Sequence, residues 1–270
     1  MSSDDFLWHN LRDLPAFRAL LRAVEARLYQ DLLPLDEPVL DVGCGDGHFA
    51  SVTFPRPLAA GVDPAFAGLR EARGRAGYRI VAQARGSALP FPSGEFRTVI
   101  SNSALEHIPE VEAVLGEIAR VLRGPEPGKR GGRLLFSVPS DHFSEFLYFP
   151  LIFRRLRLRG PAHFYESFIN RRAGHHHCDG PEVWRARLAA AGLRTCRSTY
   201  YFSEQAHRTL DQAHYWGLPN LLAKRLLGRW ILFPSRRNPL LDLTERRLRP
   251  LYEEALPPIG AYLFVVAERT

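Results

Sequence analysis

The sequence predicts an α/β protein: a seven-stranded, mainly parallel sheet with helices on both faces and a helical cap formed by insertions. Three observations carry this expectation. Short apolar, β-branched runs alternate with amphipathic segments from residue 37 to 140. Two more strand-like runs lie near the C-terminus. Two insertions, 141–180 before the first of these runs and 204–258 between the two, interrupt the alternation without ending it.

Taken in order, residues 1–36 form an N-terminal helical segment. Phe17, Leu20, Leu21, Val24, Leu28 and Leu32 make one stripe, with Pro15 suited to the first turn. Residues 37–140 supply five strands, at Val39–Val42, Leu58–Asp63, Tyr78–Gln83, Phe96–Ser101 and Arg133–Val138. Helices follow the first two, and residues 109–122 form a third. Residues 141–180 show no simple period and read as a lid insertion. A helix from Pro181 to Ala191 and a strand from Thr195 to Phe202 fill 181–203; 204–258 reads as a helical cap insertion, and 259–270 holds the final strand.

Composition narrows the class. Of 270 residues, 46% are hydrophobic and 24% charged, which excludes a disordered chain. No apolar run reaches the ~18 residues of a membrane span. Three cysteines, far apart, suit reduced thiols, and the acidic start lacks the features of a signal peptide. A cytoplasmic protein is expected, with a membrane-peripheral location as the variant. Residues 1–140 carry 16 Lys+Arg against 17 Asp+Glu, whereas 141–270 carry 20 against 12. The positive half suggests an anionic acceptor or a lipid surface.

The stretch Asp41-Val42-Gly43-Cys44-Gly45-Asp46-Gly47-His48 organises the rest. Glycines after a strand permit backbone angles closed to other residues, and the helix start behind them offers free N–H groups to a polar ligand. A dinucleotide site wants a third glycine where His48 stands, and a phosphate loop wants Gly-Lys-Ser/Thr, which is missing. With Asp63 ending the next strand, Leu89-Pro90-Phe91-Pro92 further on and Ser101-Asn102-Ser103-Ala104-Leu105-Glu106-His107 after strand four, the pattern resembles class I S-adenosylmethionine-dependent methyltransferases. The resemblance is greatest to the small-molecule subgroup that includes ubiquinone and menaquinone biosynthesis enzymes, and it covers residues 37–139.

That resemblance implies a Rossmann-like fold and S-adenosyl-L-methionine as cofactor. It implies that Gly43, Cys44, Gly45 and Gly47 lie against the methionine part, that Asp41 meets its ammonium group, and that Asp63 accepts from both ribose hydroxyls. Pro64 would contact the adenine, backbone groups of Gly86 and Ser87 would read its edge, and Asn102 would line the site. Two positions depart from the family: Arg85 replaces an adenine-reading Asp, and Arg97 replaces the Asp after Phe96.

Glu106 and His107, at the end of strand four, are the candidate catalytic pair, with orientation of the loop as the structural alternative. His175-His176-His177-Cys178 lacks a partner pair at zinc spacing, so no metal is expected there, and the segment reads as lid. Two basic-aromatic segments, 146–159 and 221–233, read as cap helices packed by their apolar stripes, with an interfacial membrane segment as the alternative. The expected function is methyl transfer to a small, anionic or lipid-linked acceptor. The alternatives are a non-catalytic S-adenosylmethionine-binding protein and a nucleic-acid methyltransferase. No nucleic-acid partner is expected, since strand four is not followed by a tetrapeptide such as N-P-P-Y.

Overall fold

A computed structural model describes residues 5–216, 218–235 and 238–270, so the acidic start 1–4 lies outside it. One seven-stranded sheet runs in the order β3-β2-β1-β4-β5-β7-β6. Its strands are β1 (Val39–Val42), β2 (Leu58–Asp63), β3 (Tyr78–Gln83), β4 (Thr98–Asn102), β5 (Arg133–Pro139), β6 (Leu193–Tyr201) and β7 (Tyr262–Arg269). The first five pair in parallel, and β7 enters antiparallel between β5 and β6. Every residue of β1 and β4 is buried, as expected of central strands covered on both faces.

β4 starts two residues later than its apolar pattern suggests. Phe96 makes only an isolated bridge to Leu122 and turns its ring against Phe91 instead. The Leu89–Phe91 segment is pinned to the helix α5 (Val111–Val121): Glu117 accepts from the Leu89 N–H, and Arg120 donates to the carbonyls of Leu89 and Phe91.

Helices cover both faces. On one, α1 (Phe6–Leu11), α2 (Ala16–Gln30) and α3 (His48–Thr53) enclose Tyr29, Phe54 and Phe264, whose rings meet edge to face. The short α1, capped by Asp5 accepting from the Trp8 N–H, has too few turns to register as a periodic stripe. On the other face, α5 and α8 (Pro181–Ala190) bury Leu115 and Trp184 against Phe136. The helix α4 (Phe66–Gly74) follows β2.

The 141–180 region is helical, with α6 (Tyr148–Arg155) and α7 (Arg159–Ala173) before the histidine segment. Region 204–258 folds as α9 (Glu204–Trp216), α10 (Leu218–Leu227) and α11 (Pro239–Glu253). The packed stripe expected of segment 146–159 holds through Phe146, Leu147 and Pro150, after which Leu156 and Leu158 are exposed. α7 buries only Ala162 and leaves Phe164 and Phe168 stacked at its surface. In 221–233 the side chain of Leu222 lies outside the described residues, and Leu226, Leu227 and Phe233 are exposed. Among the described residues, no helix is long and apolar enough to cross a membrane.

Candidate active site

The C-terminal ends of β1, β2 and β4 open onto a cavity of about 430 Å³. Gly43, Gly45 and Gly47 all have positive φ, which lets the chain turn sharply after β1. At Gly43 a Cβ would lie 2.4 Å from that of Ala104, so the loop and the β4 turn approach through a glycine. At Gly45 a Cβ would meet nothing within 4 Å, because this peptide faces the cavity.

Asp63, at the end of β2, accepts from the Gly45 N–H through Oδ2 (2.9 Å) and from the Ala65 N–H through Oδ1 (2.8 Å). Each oxygen keeps a lone pair for a ligand hydroxyl. Asp41 is buried. Its Oδ2 accepts from the Tyr78 hydroxyl at 2.6 Å, and its Oδ1 has no partner. Burial pushes its carboxyl up to about 7; the Tyr78 hydrogen bond opposes this and the charge of Asp63 adds to it. An orphaned acceptor lining a cavity fits a ligand cation, and the paired oxygens of Asp63 fit a diol. The residues present therefore suit an aminoacyl nucleoside.

Of the ten positions expected to hold the cofactor, seven line this cavity: Asp41, Gly43, Cys44, Gly45, Asp63, Pro64 and Asn102. Gly47 instead caps α3, where a Cβ would meet the Ala72 backbone at 3.0 Å. Gly86 and Ser87 lie in the loop after β3, outside the lining, with Gly86 packed on Val42 and Val114. Cys44 is buried and its thiol is pushed up chiefly by burial, which suits a filler rather than a nucleophile.

Asn102 borders the cavity, but its side chain is engaged below it. Glu25, fully buried on α2, accepts from Asn102 Nδ2 (2.8 Å), Arg22 (2.5 Å), the Ser103 hydroxyl (2.9 Å) and the Tyr201 hydroxyl (3.1 Å). Ser137 donates to Asn102 Oδ1 at 2.8 Å. This network ties α2 to the ends of β4, β5 and β6, and nothing in the glycine-loop pattern points to it.

A second cavity, of about 360 Å³, adjoins the first and shares Arg18, Arg22, Ser103 and His107 with it. Phe17, Phe143, Leu147 and Ile169 give it apolar walls, while Glu106, His175 and His207 add buried or half-buried polar groups. Arg18 rests over the Trp230 ring at 5.8 Å, and desolvation by burial holds its guanidinium below its ordinary value.

Glu106 is 2% exposed and its Oε2 has no partner; burial pushes it up to about 8. His107 is half-exposed; its Nδ1 meets the Gly174 carbonyl at 3.2 Å, and its Nε2 stands 3.7 Å from Glu106 Oε1. Desolvation lowers His107 and takes His175 down to about 4 and His207 to about 3, so the last two rings are neutral at pH 7. The N–H groups of His176 and His177 donate to the Glu106 carbonyl, which binds the histidine segment to the β4 turn. Sequence spacing does not join residues 106 and 175; the fold does.

Comparison with known proteins bears on the fold and the family. Residues 40–136 match a family model described as a methyltransferase domain. The chain is 29% identical over 110 residues to the malonyl-[acyl-carrier protein] O-methyltransferase of Legionella pneumophila, a match spanning 37% of this chain and 39% of that protein. A SAM-dependent methyltransferase from Thermotoga maritima shares the fold at 14% identity and a TM-score of 0.55, over 94% of this chain and 91% of that one. The [4+2]-cyclase SpnF shares it at 16% identity and a TM-score of 0.52, over 92% and 80%. Residues 40–136, where the glycine loop, Asp63 and the β4 turn converge on one cavity, are thus similar to the methyltransferase domain of class I, S-adenosylmethionine-dependent enzymes.

Proposed function

We propose that the protein transfers a methyl group from S-adenosylmethionine to a small acceptor with an anionic head and an apolar, lipid-like body. The observation that carries this reading is the second cavity, which meets the first at Arg18, Arg22, Ser103 and His107. When bound, the donor supplies a methyl group on a positively charged sulfur, open to in-line attack by an acceptor lone pair. Asp63 would hold its ribose hydroxyls, Asp41 its ammonium, and the Gly43–Gly45 turn its methionine chain. Catalysis by this chain is then chiefly positioning of acceptor against donor. Arg18 and Arg22 attract the acceptor's negative charge, and Phe17, Phe143 and Ile169 enclose its apolar part. Glu106 and His107 are the polar groups that face the acceptor's reacting end.

A lipid-linked acceptor has further support at the surface. Phe164, Phe168, Leu156 and Leu158 are exposed beside Arg154, Arg155 and Arg157, a combination suited to an anionic membrane face. The malonyl-[acyl-carrier protein] enzyme acts on a carrier-linked acyl group, and its partial match supports an anionic acceptor here.

The test is to incubate the protein with methyl-labelled donor and separated metabolite, lipid and RNA fractions. Label entering an acidic metabolite or lipid is the expected result. Label in RNA supports the nucleic-acid alternative, and donor binding with no transfer to any fraction supports a non-catalytic binder.

Asp41 adds a pH signature. An Asp raised from 3.8 to about 7 holds its proton in the folded chain over a range where the unfolded chain has lost it. Its contribution to stability therefore falls as pH rises between about 4 and 7. Donor binding has the opposite sign, since the ammonium needs the carboxylate. Affinity for S-adenosylhomocysteine is expected to rise through about pH 7 and level off above it, whereas Asp41→Asn is expected to bind weakly with a flat profile. Calorimetric titration across that range measures both.

A further inference from the structure

We propose that Glu106, His107 and His175 form a binding site for one divalent first-row transition metal ion. Each offers a ligand atom, and the three atoms lie within 4.8 Å of one another, with the Glu106–His107 pair at 3.7 Å. In metal sites with ligands at ~2.1 Å, neighbouring ligand atoms stand ~3–4 Å apart, so small side-chain rotations close the set. Two histidines and one carboxylate on one side of an ion leave its remaining positions open.

Two observations besides proximity point to a ligand. Glu106 lines the cavity and is 2% exposed, yet its buried Oε2 has no partner, a costly arrangement that a cation relieves. His107 is already oriented: its Nδ1–H donates to the Gly174 carbonyl, which leaves the Nε2 lone pair facing Glu106. A carbonyl on the far ring nitrogen is the usual outer support of a metal-bound histidine. The backbone contacts from His176 and His177 to Glu106 hold the two segments in register.

Imidazole and carboxylate together suit Zn²⁺, Fe²⁺, Co²⁺ or Mn²⁺ better than Ca²⁺ or Mg²⁺, which prefer all-oxygen shells. The open positions face the second cavity. On the functional reading above, they would take an oxygen of the acceptor; binding of the ion itself does not depend on that reading.

The experiment uses the full chain, stripped with chelator and dialysed against Zn²⁺ or Co²⁺ alone. One ion per chain is expected, with visible Co²⁺ absorption bands. Glu106→Gln and His175→Ala are each expected to weaken binding by more than ~100-fold, beyond what loss of an outer-shell partner costs. His176→Ala, which alters an exposed ring outside the triad, is expected to leave it unchanged. Absence of stoichiometric binding overturns the proposal. So does binding lost in His176→Ala but kept in Glu106→Gln, which identifies an adventitious histidine strip. The Co²⁺ bands of the unaltered chain test the site even if a variant fails to fold. Titration of S-adenosylhomocysteine against the same samples keeps the donor site separate: its binding intact without metal leaves the methyltransferase reading standing.

Discussion

Asp63→Ala is expected to weaken binding of the methyl donor by about 100-fold. The estimate follows from two charge-assisted hydrogen bonds to ribose hydroxyls, each worth ~1.5 kcal/mol, and from tenfold in affinity per ~1.4 kcal/mol. Loss of the contacts to the Gly45 and Ala65 N–H groups adds to the effect by loosening the glycine loop. Asp63→Asn keeps the shape and one acceptor oxygen, and about a tenfold loss is expected. Calorimetry with S-adenosylhomocysteine separates the two variants, and melting without ligand reports how much of each loss comes from the loop. Affinity unchanged in Asp63→Ala contradicts the assignment of the ribose to this carboxylate.

Glu25→Ala is expected to be the most destabilising of the single changes considered. It removes the acceptor of four hydrogen bonds and leaves Arg22, 18% exposed, without its carboxylate beside two polar groups at the end of β4. Breaking one side of a buried pair costs about 3–5 kcal/mol, and the partial exposure of Arg22 places this case near 3. For a chain of this size that lowers Tm by roughly 6–12 °C. Glu25→Gln retains an acceptor oxygen and is expected to recover about half of the loss. Thermal melting followed by circular dichroism reads both. A shift below about 2 °C for the alanine variant would mean that the network carries little of the stability.

The cofactor half of the fold is legible because its signals are local. Val39–Val42, the alternating glycines and Asp63 each express backbone or hydrogen-bond chemistry within a few residues, and the strands appear where that chemistry requires them. What escapes is what long-range contact decides. Glu25 sits four residues after Leu21 and three before Leu28, inside the apolar stripe of α2; an acid in that arc was the available signal of a buried partner. Tyr78 looks like an ordinary strand residue, yet its hydroxyl sets the environment of Asp41. α7 carries weak apolar periodicity because its outer face keeps Phe164 and Phe168 exposed. His175 lies 69 residues beyond Glu106, and only the return of the 141–180 segment to the β4 turn brings them together.

The split between the two cavities has a physical basis. The first cavity is built from backbone turns and two carboxylates on the rigid parallel strands, which suits a ligand of fixed chemistry. The second cavity is walled by α2, α7 and α9, elements whose side chains can change without disturbing the sheet.

The most direct test of the account is a structure of the full chain with sinefungin, an unreactive analogue of the methyl donor. The expected result has both ribose hydroxyls within hydrogen-bond distance of Asp63, the α-ammonium at Asp41, and the amine that replaces the methyl group facing Ser103 and His107 at the mouth of the second cavity. Sinefungin bound elsewhere, or with its ribose away from Asp63, would contradict it.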